Sequence, residues 1–244
     1  MANAGTGVGV ALATGLLLAT SSWRFVYATA SVLAVIFCLL FIFQRTKTGQ
    51  VTPAAADNSD VTGSWRYLVV PIILTLLMGA GSSAYWTFGR SLAESTVGLS
   101  EFQSLLFWGA IGVAGIAGSF SGDAATKLGT KLSWTLGSVI LGLSILCLPV
   151  SGNFLIAIVS GALFGAFYTI MCGLTIELGR ESWPQAVGSF TSILFATIAV
   201  GQTAGSMLNG LAIAHLNMGT LFVAGGILTL AGGVLVWCKK TRTA

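Results

Sequence analysis

The sequence predicts an all-α integral membrane protein built as a bundle of eight transmembrane helices. Of its 244 residues, 55% are hydrophobic and only 7% are charged, whereas an average globular domain carries about 25% charged residues. The mean hydropathy is +0.91. A soluble domain of this size would still expose a large surface in need of polar cover, which this composition cannot supply. Lipid is the solvent that fits.

Eight apolar blocks are long enough to cross a membrane. A helix across the hydrocarbon core needs about 20 mainly apolar residues, and blocks of this length recur between charged or turn-rich segments. In chain order, the predicted helices run from Ala4 to Ser21, Phe25 to Phe43, Tyr67 to Phe88, Phe102 to Phe120, Leu132 to Val150, Phe154 to Leu174, Ala186 to Leu208 and Gly219 to Trp237.

Each block ends at a change in composition. Trp23 and Arg24 end the first block, and the polar segment 44–66 ends the second. Arg90 ends the third block, a glycine- and lysine-rich loop after Phe120 ends the fourth, and a short connection ends the fifth. Glu177 and Arg180 end the sixth block, a polar connection containing His215 ends the seventh, and Lys239 and Lys240 end the eighth.

The basic residues are distributed unequally between the two sides of the membrane. If the eight helices alternate in direction, nine of the 11 Lys and Arg residues share one side, and only Arg24 and Arg90 lie on the other. The positive-inside rule therefore predicts a cell (inner or plasma) membrane protein with both termini in the cytoplasm. The cytoplasmic set is Arg45, Lys47, Arg66, Lys127, Lys131, Arg180, Lys239, Lys240 and Arg242.

The segment 44–66 is the longest connection, and it divides the helices two against six. We expect a two-helix unit at 1–43, a cytoplasmic loop at 44–66 and a six-helix unit at 67–244. The sequence of the first helix pair also resembles that of the last helix pair at an offset of 196 residues, since Gly5 matches Gly201 and Gly9 matches Gly205. A parallel repeat of this kind predicts that the first unit lacks four helices at its N-terminal side.

Several function classes are excluded by what the sequence lacks. The net charge of +4 is spread thinly with no basic stripe, so no nucleic-acid partner is expected. The four cysteines show no CxxC spacing, and the single histidine is His215, so neither a metal nor another cofactor is predicted. No Ser/His/Asp set, HExxH motif or pair of intramembrane carboxylates is present, and an enzyme is not expected.

Two segments resemble the major facilitator superfamily (MFS), whose members have twelve helices in two halves of six. Gly-rich Gly5 to Gly15, followed by Trp23-Arg24-Phe25, looks like the family's fifth helix and its turn into the sixth. The loop after the fourth block is similar to the signature Gly-xxx-Asp-Arg-x-Gly-Arg-Arg. Its gating-loop candidates are Gly122, Asp123, Lys127, Gly129 and Lys131, while Thr126 occupies the acidic position.

The resemblance implies an MFS-like helical bundle that corresponds to the last eight of the twelve helices, in an N-terminally truncated form. The expected function is secondary active transport of a small organic solute by alternating access. The expected partners are the solute, the lipid bilayer, and the missing four helices or another chain. The alternative is a non-transporting membrane scaffold or partner subunit derived from a transporter.

The third predicted helix corresponds to a cavity-lining helix of the family. By this resemblance Tyr85 and Trp86 are candidates to contact the solute, and Arg90 is a candidate to attract anions at the outer mouth. The alternative is an aromatic belt with a snorkelling arginine at the membrane interface.

Polar residues on the sixth and seventh helices complete the substrate-pathway candidates. Glu177 and Arg180 follow Tyr168 and share one helical face. The expected role is a surface ion pair that helps to gate the pathway, and the alternative is proton coupling by Glu177. Gln202 and Asn209 lie seven residues apart on one face, where they contact either the solute or a neighbouring helix.

Overall fold

The computed structural model describes residues 4–20, 22–47 and 66–239. Within these ranges every regular element is a helix, and the predicted all-α fold is confirmed. Short 3-10 segments cover Ile116–Phe120, Leu148–Val150, Pro184–Ala186 and Val236–Cys238. The α-helices are α1 (Ala4–Thr20), α2 (Trp23–Lys47), α3 (Arg66–Val97), α4 (Glu101–Gly115), α5 (Ser121–Leu128), α6 (Thr130–Cys147), α7 (Phe154–Ser182), α8 (Val187–Ala212) and α9 (Met218–Leu235).

Among the described residues, seven helical segments are long and apolar enough to cross a membrane. They are Trp23–Leu40, Tyr67–Val97, Glu101–Leu128, Thr130–Val150, Phe154–Ser182, Pro184–Ala212 and Met218–Cys238. The eighth predicted crossing is α1, which has 17 residues. At 1.5 Å per residue it is about 26 Å long, slightly shorter than a hydrocarbon core of about 30 Å.

Four helices, α2, α3, α7 and α8, run further than the apolar blocks predicted, and α8 ends at Ala212 instead of Leu208. α2 continues to Lys47, so Gln44–Lys47 is helical, whereas residues 48–65 of the predicted central loop lie outside the described part of the chain. α3 continues to Val97, and α7 to Ser182. A polar residue ends the apolar block in the sequence, but it does not have to end the helix. The helix can continue where polar side chains pair with each other along one helical face.

Side-chain caps define where several helices begin on the side predicted to face outward. Ser100 accepts a hydrogen bond from the backbone N–H of Gln103, whose side chain bonds back to Ser100. The Asn153 side chain caps α7 by accepting from the backbone N–H of Ile156, and the Asn217 side chain caps α9 by accepting from that of Thr220. Such caps satisfy N–H groups that have no partner in the first turn, and they set these helix starts locally.

The fourth predicted helix is interrupted near its C-terminal end. We expected one helix from Phe102 to Phe120, but α4 ends at Gly115, continues as the 3-10 segment and then becomes α5. The Thr169 hydroxyl of α7 donates to the Gly115 carbonyl over 2.8 Å. This bond satisfies a carbonyl at the point where the α-helical pattern stops.

The core forms where six long helices approach each other through small residues. α3 packs along α8 and α9, α4 along α7, and α6 between α7 and α9. A side chain at Gly165 would place its Cβ 2.1 Å from the Ile111 carbonyl oxygen, and one at Gly79 would lie 2.2 Å from that of Ile198. Neither position has room for any other residue, and these contacts hold α7 on α4 and α3 on α8.

The first two helices lie on the outside of this bundle. α1 packs on α4, where Thr14 is buried against Gly109. α2 packs only sparsely on α1, and its described side chains remain exposed or half-exposed along its length. A mainly apolar exposed surface such as that of α2 is stable in contact with lipid.

Candidate functional site

A cleft of about 600 Å³ lies between α3, α7 and α8 and is open on one side. Its lining residues lie in the middle part of their helices, away from the ends. This is the part of a membrane-spanning helix that lies at the depth of the hydrocarbon core. All of them are uncharged, and each side chain carries a hydrogen-bonding group. The lining residues are Ser83, Trp86, Tyr168, Gln202, Thr203 and Ser206. Polar groups at this depth point away from lipid and toward a polar cavity or a partner.

Trp86 forms the aromatic part of the cleft and is held by three neighbouring rings. It meets Tyr168 edge to face with 5.2 Å between ring centroids, and Phe164 at the same distance. It also stacks on Trp108 at 6.0 Å. These contacts fix the indole plane, so the half-buried ring presents one preset surface to the cleft.

Gln202 and Tyr168 join the two polar walls of the cleft. Nε2 of Gln202 on α8 donates a hydrogen bond of 2.9 Å to the Tyr168 hydroxyl on α7. Within the described residues, no hydrogen bond reaches Oε1 of Gln202. The amide is therefore oriented by the protein and keeps a free acceptor.

Asn209 holds two helices together outside the cleft. Its Nδ2 donates to Ser83 Oγ over 3.0 Å, and Ser83 in turn donates to the Ala80 carbonyl. The Thr87 and Ser206 hydroxyls form a second link between α3 and α8 at 2.9 Å. Of the two roles expected for Asn209, this geometry favours contact with a neighbouring helix.

Tyr85 lies in the core and not in the cleft. Its side chain is completely buried, stacks on Phe164 at 3.9 Å and shares a 2.9 Å hydrogen bond with Ser160. Ser160 donates onward to the Ser144 carbonyl. Because its ring packs against rings of α4, α7 and α9 and its hydroxyl bonds to α7, Tyr85 acts in packing, whereas its neighbour Trp86 faces the cleft.

Arg90 is paired near the C-terminal end of α3, on the side predicted to face outward. Its guanidinium donates to Glu94 over 2.7 Å, and Ser104 donates to the same carboxylate oxygen over 2.7 Å. Arg90 also borders a second cavity of about 560 Å³ together with Trp23 and Glu101. This arrangement favours the interfacial arginine over an anion site, because its charge is already compensated.

The pair Glu177 and Arg180 lies near the C-terminal end of α7, on the side predicted to face the cytoplasm. Two hydrogen bonds from Nε of Arg180 to the carboxylate measure 3.0 and 3.1 Å, and Arg180 is largely exposed. No contact joins this pair to the cleft within the described residues. An exposed pair of this kind contributes little to stability, and a gating role for it stays a prediction.

A more buried ion pair lies close by and was not predicted from the sequence. Lys239 follows α9 and pairs with Glu181 on α7, although only 4% of its side chain is exposed. The Thr130 hydroxyl, at the start of α6, donates to the same carboxylate over 2.5 Å. Thr130, Glu181 and Lys239 thus join α6, α7 and the end of α9, although Glu181 and Lys239 lie 58 positions apart in the chain.

The loop that resembles the family signature contributes to this same end of the bundle. Gly129 has a φ of 78°, a conformation that glycine adopts readily, and it separates α5 from α6. Lys131 lies over the Trp237 ring at 5.9 Å. Asp123 and Lys127 lie one turn apart on α5, but no ion pair of Asp123 is present in the described part of the chain.

Removing the Glu181 charge is expected to destabilise the bundle. Glu181→Gln leaves the Lys239 ammonium buried without a counter-charge, and we expect a loss of about 1–3 kcal/mol in the free energy of unfolding, since Glu181 itself is partly exposed. Thermal unfolding in detergent measures the loss. Glu177→Gln is the matched control and should change stability by less than about 0.5 kcal/mol; equal effects of the two substitutions would contradict this role.

Comparison with known proteins agrees with this architecture. A family described as "Uncharacterised MFS-type transporter YbfB" matches residues 1–238. The purine ribonucleoside efflux pump NepI of Shigella sonnei (strain Ss046) is 24% identical over 226 residues, which cover 89% of this chain and 55% of that protein. NepI of Escherichia coli (strain K12) shows the same identity and coverage.

The chain spans about half the length of the curated relatives that it matches. The family match, in contrast, extends over nearly all of the chain and includes α1 and α2 as well as the six-helix bundle. Among the described residues, no group of His, Cys, Asp and Glu side chains could hold a metal ion. The chain is a multi-pass membrane protein that belongs to the MFS-type transporters, a family of carriers and not of enzymes.

Proposed function

We propose that this chain contributes the solute-binding wall of a secondary active transporter for a small organic solute. The observation that carries the proposal is the cleft between α3, α7 and α8, where a fixed tryptophan and an oriented amide lie away from the helix ends. A polar, uncharged cavity within a membrane bundle is suited to an uncharged solute, because it offers hydrogen bonds but no counter-charge.

The solute class that we propose is the purine ribonucleosides. The relatives are named as efflux pumps for these compounds, which are uncharged and combine a planar ring with a polyhydroxyl sugar. The cleft offers matching groups, since Trp86 supplies an aromatic surface and Thr203 and Ser206 supply hydroxyl groups. By the same likeness, we propose export as the direction of transport.

The open side of the cleft is where we expect the second half of the carrier. We propose that helices outside residues 67–244 close it, whether they belong to a longer form of this chain or to another chain. Residues 1–43 would then belong to that second half, and the solute would be exchanged by rocking of the two halves.

The proposed orientation has both termini in the cytoplasm. In a variant without the four native cysteines, Gly152→Cys is expected to react with an impermeant maleimide added outside the cell. Leu128→Cys should react only after the membrane is permeabilised. Leu128 ends α5 just before α6 begins, and Gly152 follows the other end of α6, so the two positions lie on opposite sides of the membrane in this orientation. Labelling in the reverse order would contradict the orientation.

Equilibrium binding tests the proposed function. The purified chain in lipid nanodiscs should bind tritiated adenosine saturably, and unlabelled inosine should compete, whereas adenosine monophosphate should not, because the cleft holds no cation for its phosphate. A folded, monodisperse chain that binds no nucleoside would contradict the proposal and favour the non-transporting partner subunit.

A further inference from the structure

The protein orients the carboxamide of Gln202 and leaves part of its hydrogen-bonding capacity unused. Its Nε2 donates to Tyr168, which fixes the amide plane, while Oε1 receives no hydrogen bond within the described residues. The neighbouring hydroxyls are more fully engaged, since Thr203 donates to the Ala199 carbonyl and Ser206 is bonded to Thr87. Gln202 is therefore the group with most capacity to bond a solute.

An oriented carboxamide presents a donor beside an acceptor. Such a pair matches a ring edge on which an amino group or ring N–H lies next to a ring nitrogen or carbonyl, as in the two-bond contact between glutamine and adenine. Hydrogen bonds to a fixed, partly desolvated group also exclude analogues, because a solute without the donor leaves the carbonyl oxygen unpaired.

The position of Trp86 also favours contact between the edge of a bound ring and the Gln202 carboxamide. Its ring is fixed by Trp108 and Phe164 and meets Tyr168 edge to face, so Trp86 and Gln202 both contact Tyr168. A planar ring stacked on the indole would have its edge near the carboxamide. Stacking accepts any flat ring, whereas the amide selects among ring edges.

We propose that Gln202, positioned by Tyr168, is the specificity-determining residue of the cleft and reads a donor next to an acceptor on the edge of the solute's ring. This inference rests on the proposed function, because it assumes that the cleft binds a purine ribonucleoside. It goes further in assigning discrimination between such solutes to one side chain.

Two ligands that differ in one donor test the inference. Adenosine carries an amino group beside a ring nitrogen, and unsubstituted purine riboside has the same ring and sugar with acceptors only. The wild-type chain in nanodiscs is expected to bind adenosine about tenfold more tightly than purine riboside, as expected for one hydrogen bond to a fixed acceptor. Gln202→Met has a similar volume without the amide, and it should reduce this ratio to about one.

Further variants separate discrimination from folding. Tyr168→Phe retains Gln202 but removes the hydroxyl that orients it, and the ratio should fall between those of wild type and Gln202→Met. Ser192→Ala, an exposed position on the same helix, should leave the ratio at its wild-type value. The ratio is insensitive to a general loss of affinity or of folded protein.

The outcomes are distinguishable. A Gln202→Met chain that binds both ligands and keeps the tenfold preference would overturn the role of Gln202 and leave the proposed function intact. A wild-type chain that binds neither ligand would overturn both.

Discussion

Gly165→Ala is expected to destabilise the protein strongly, although it adds only one methyl group. The added Cβ would lie 2.1 Å from the carbonyl oxygen of Ile111 and 2.8 Å from its Cα, both of which are backbone atoms of α4. Since a helix backbone cannot move aside like a flexible side chain, α4 and α7 must separate. We expect a loss of about 3 kcal/mol, the upper part of the range for overpacked cores, measured by thermal unfolding of the purified chain in detergent.

Gly210→Ala is the matched control, because a Cβ there meets nothing within 4 Å. Alanine favours a helix over glycine by up to about 1 kcal/mol, so this variant should be as stable as the wild type or slightly more stable. Equal stability of Gly165→Ala and Gly210→Ala would show that α4 and α7 do not approach each other as described.

Trp86→Ala is expected to lower the affinity for a purine ribonucleoside by roughly 10- to 100-fold. Stacking of a base on an aromatic side chain contributes about 1–3 kcal/mol, and each 1.4 kcal/mol is a factor of about ten. Trp86 is the aromatic ring of the cleft whose plane is held by its neighbours. Equilibrium binding of tritiated adenosine, with circular dichroism as the measure of folding, tests this expectation.

Two variants accompany that measurement. Trp86→Phe retains a ring and should recover part of the affinity. Trp23→Ala removes an exposed tryptophan of α2, outside the cleft, and should change the affinity by less than about twofold. If Trp23→Ala and Trp86→Ala weakened binding equally, the solute would not be stacking on Trp86.

The helices were predictable because the length of an apolar block is a property of the chain itself. The break after Gly115 was not, because it depends on a hydroxyl at Thr169, 54 positions further along. Likewise, the ends of α3 and α7 depend on whether polar residues such as Arg90 and Glu94 pair along the helix, and not on hydropathy.

The site was predictable in part. Trp86, Tyr168 and Gln202 were all expected near the solute path, and the structure brings them to one cleft. Tyr85 and Trp86 could not be separated by sequence, because α3 is apolar on all sides and a helical step turns adjacent side chains by about 100° without showing which one faces the cavity. Glu181 and Lys239 were missed because only the folded bundle brings the ends of α7 and α9 together.

The central claim, that solute passes along the cleft at Trp86, is tested most directly by counterflow in proteoliposomes. Vesicles that contain the chain together with the helices that close its cleft, and that are preloaded with unlabelled adenosine, should accumulate tritiated adenosine transiently above empty vesicles. Trp86→Ala should reduce this accumulation at least tenfold at equal reconstitution. Undiminished counterflow by Trp86→Ala would place the solute path elsewhere, and no counterflow by the correctly folded wild-type carrier would contradict passage of the solute along this cleft.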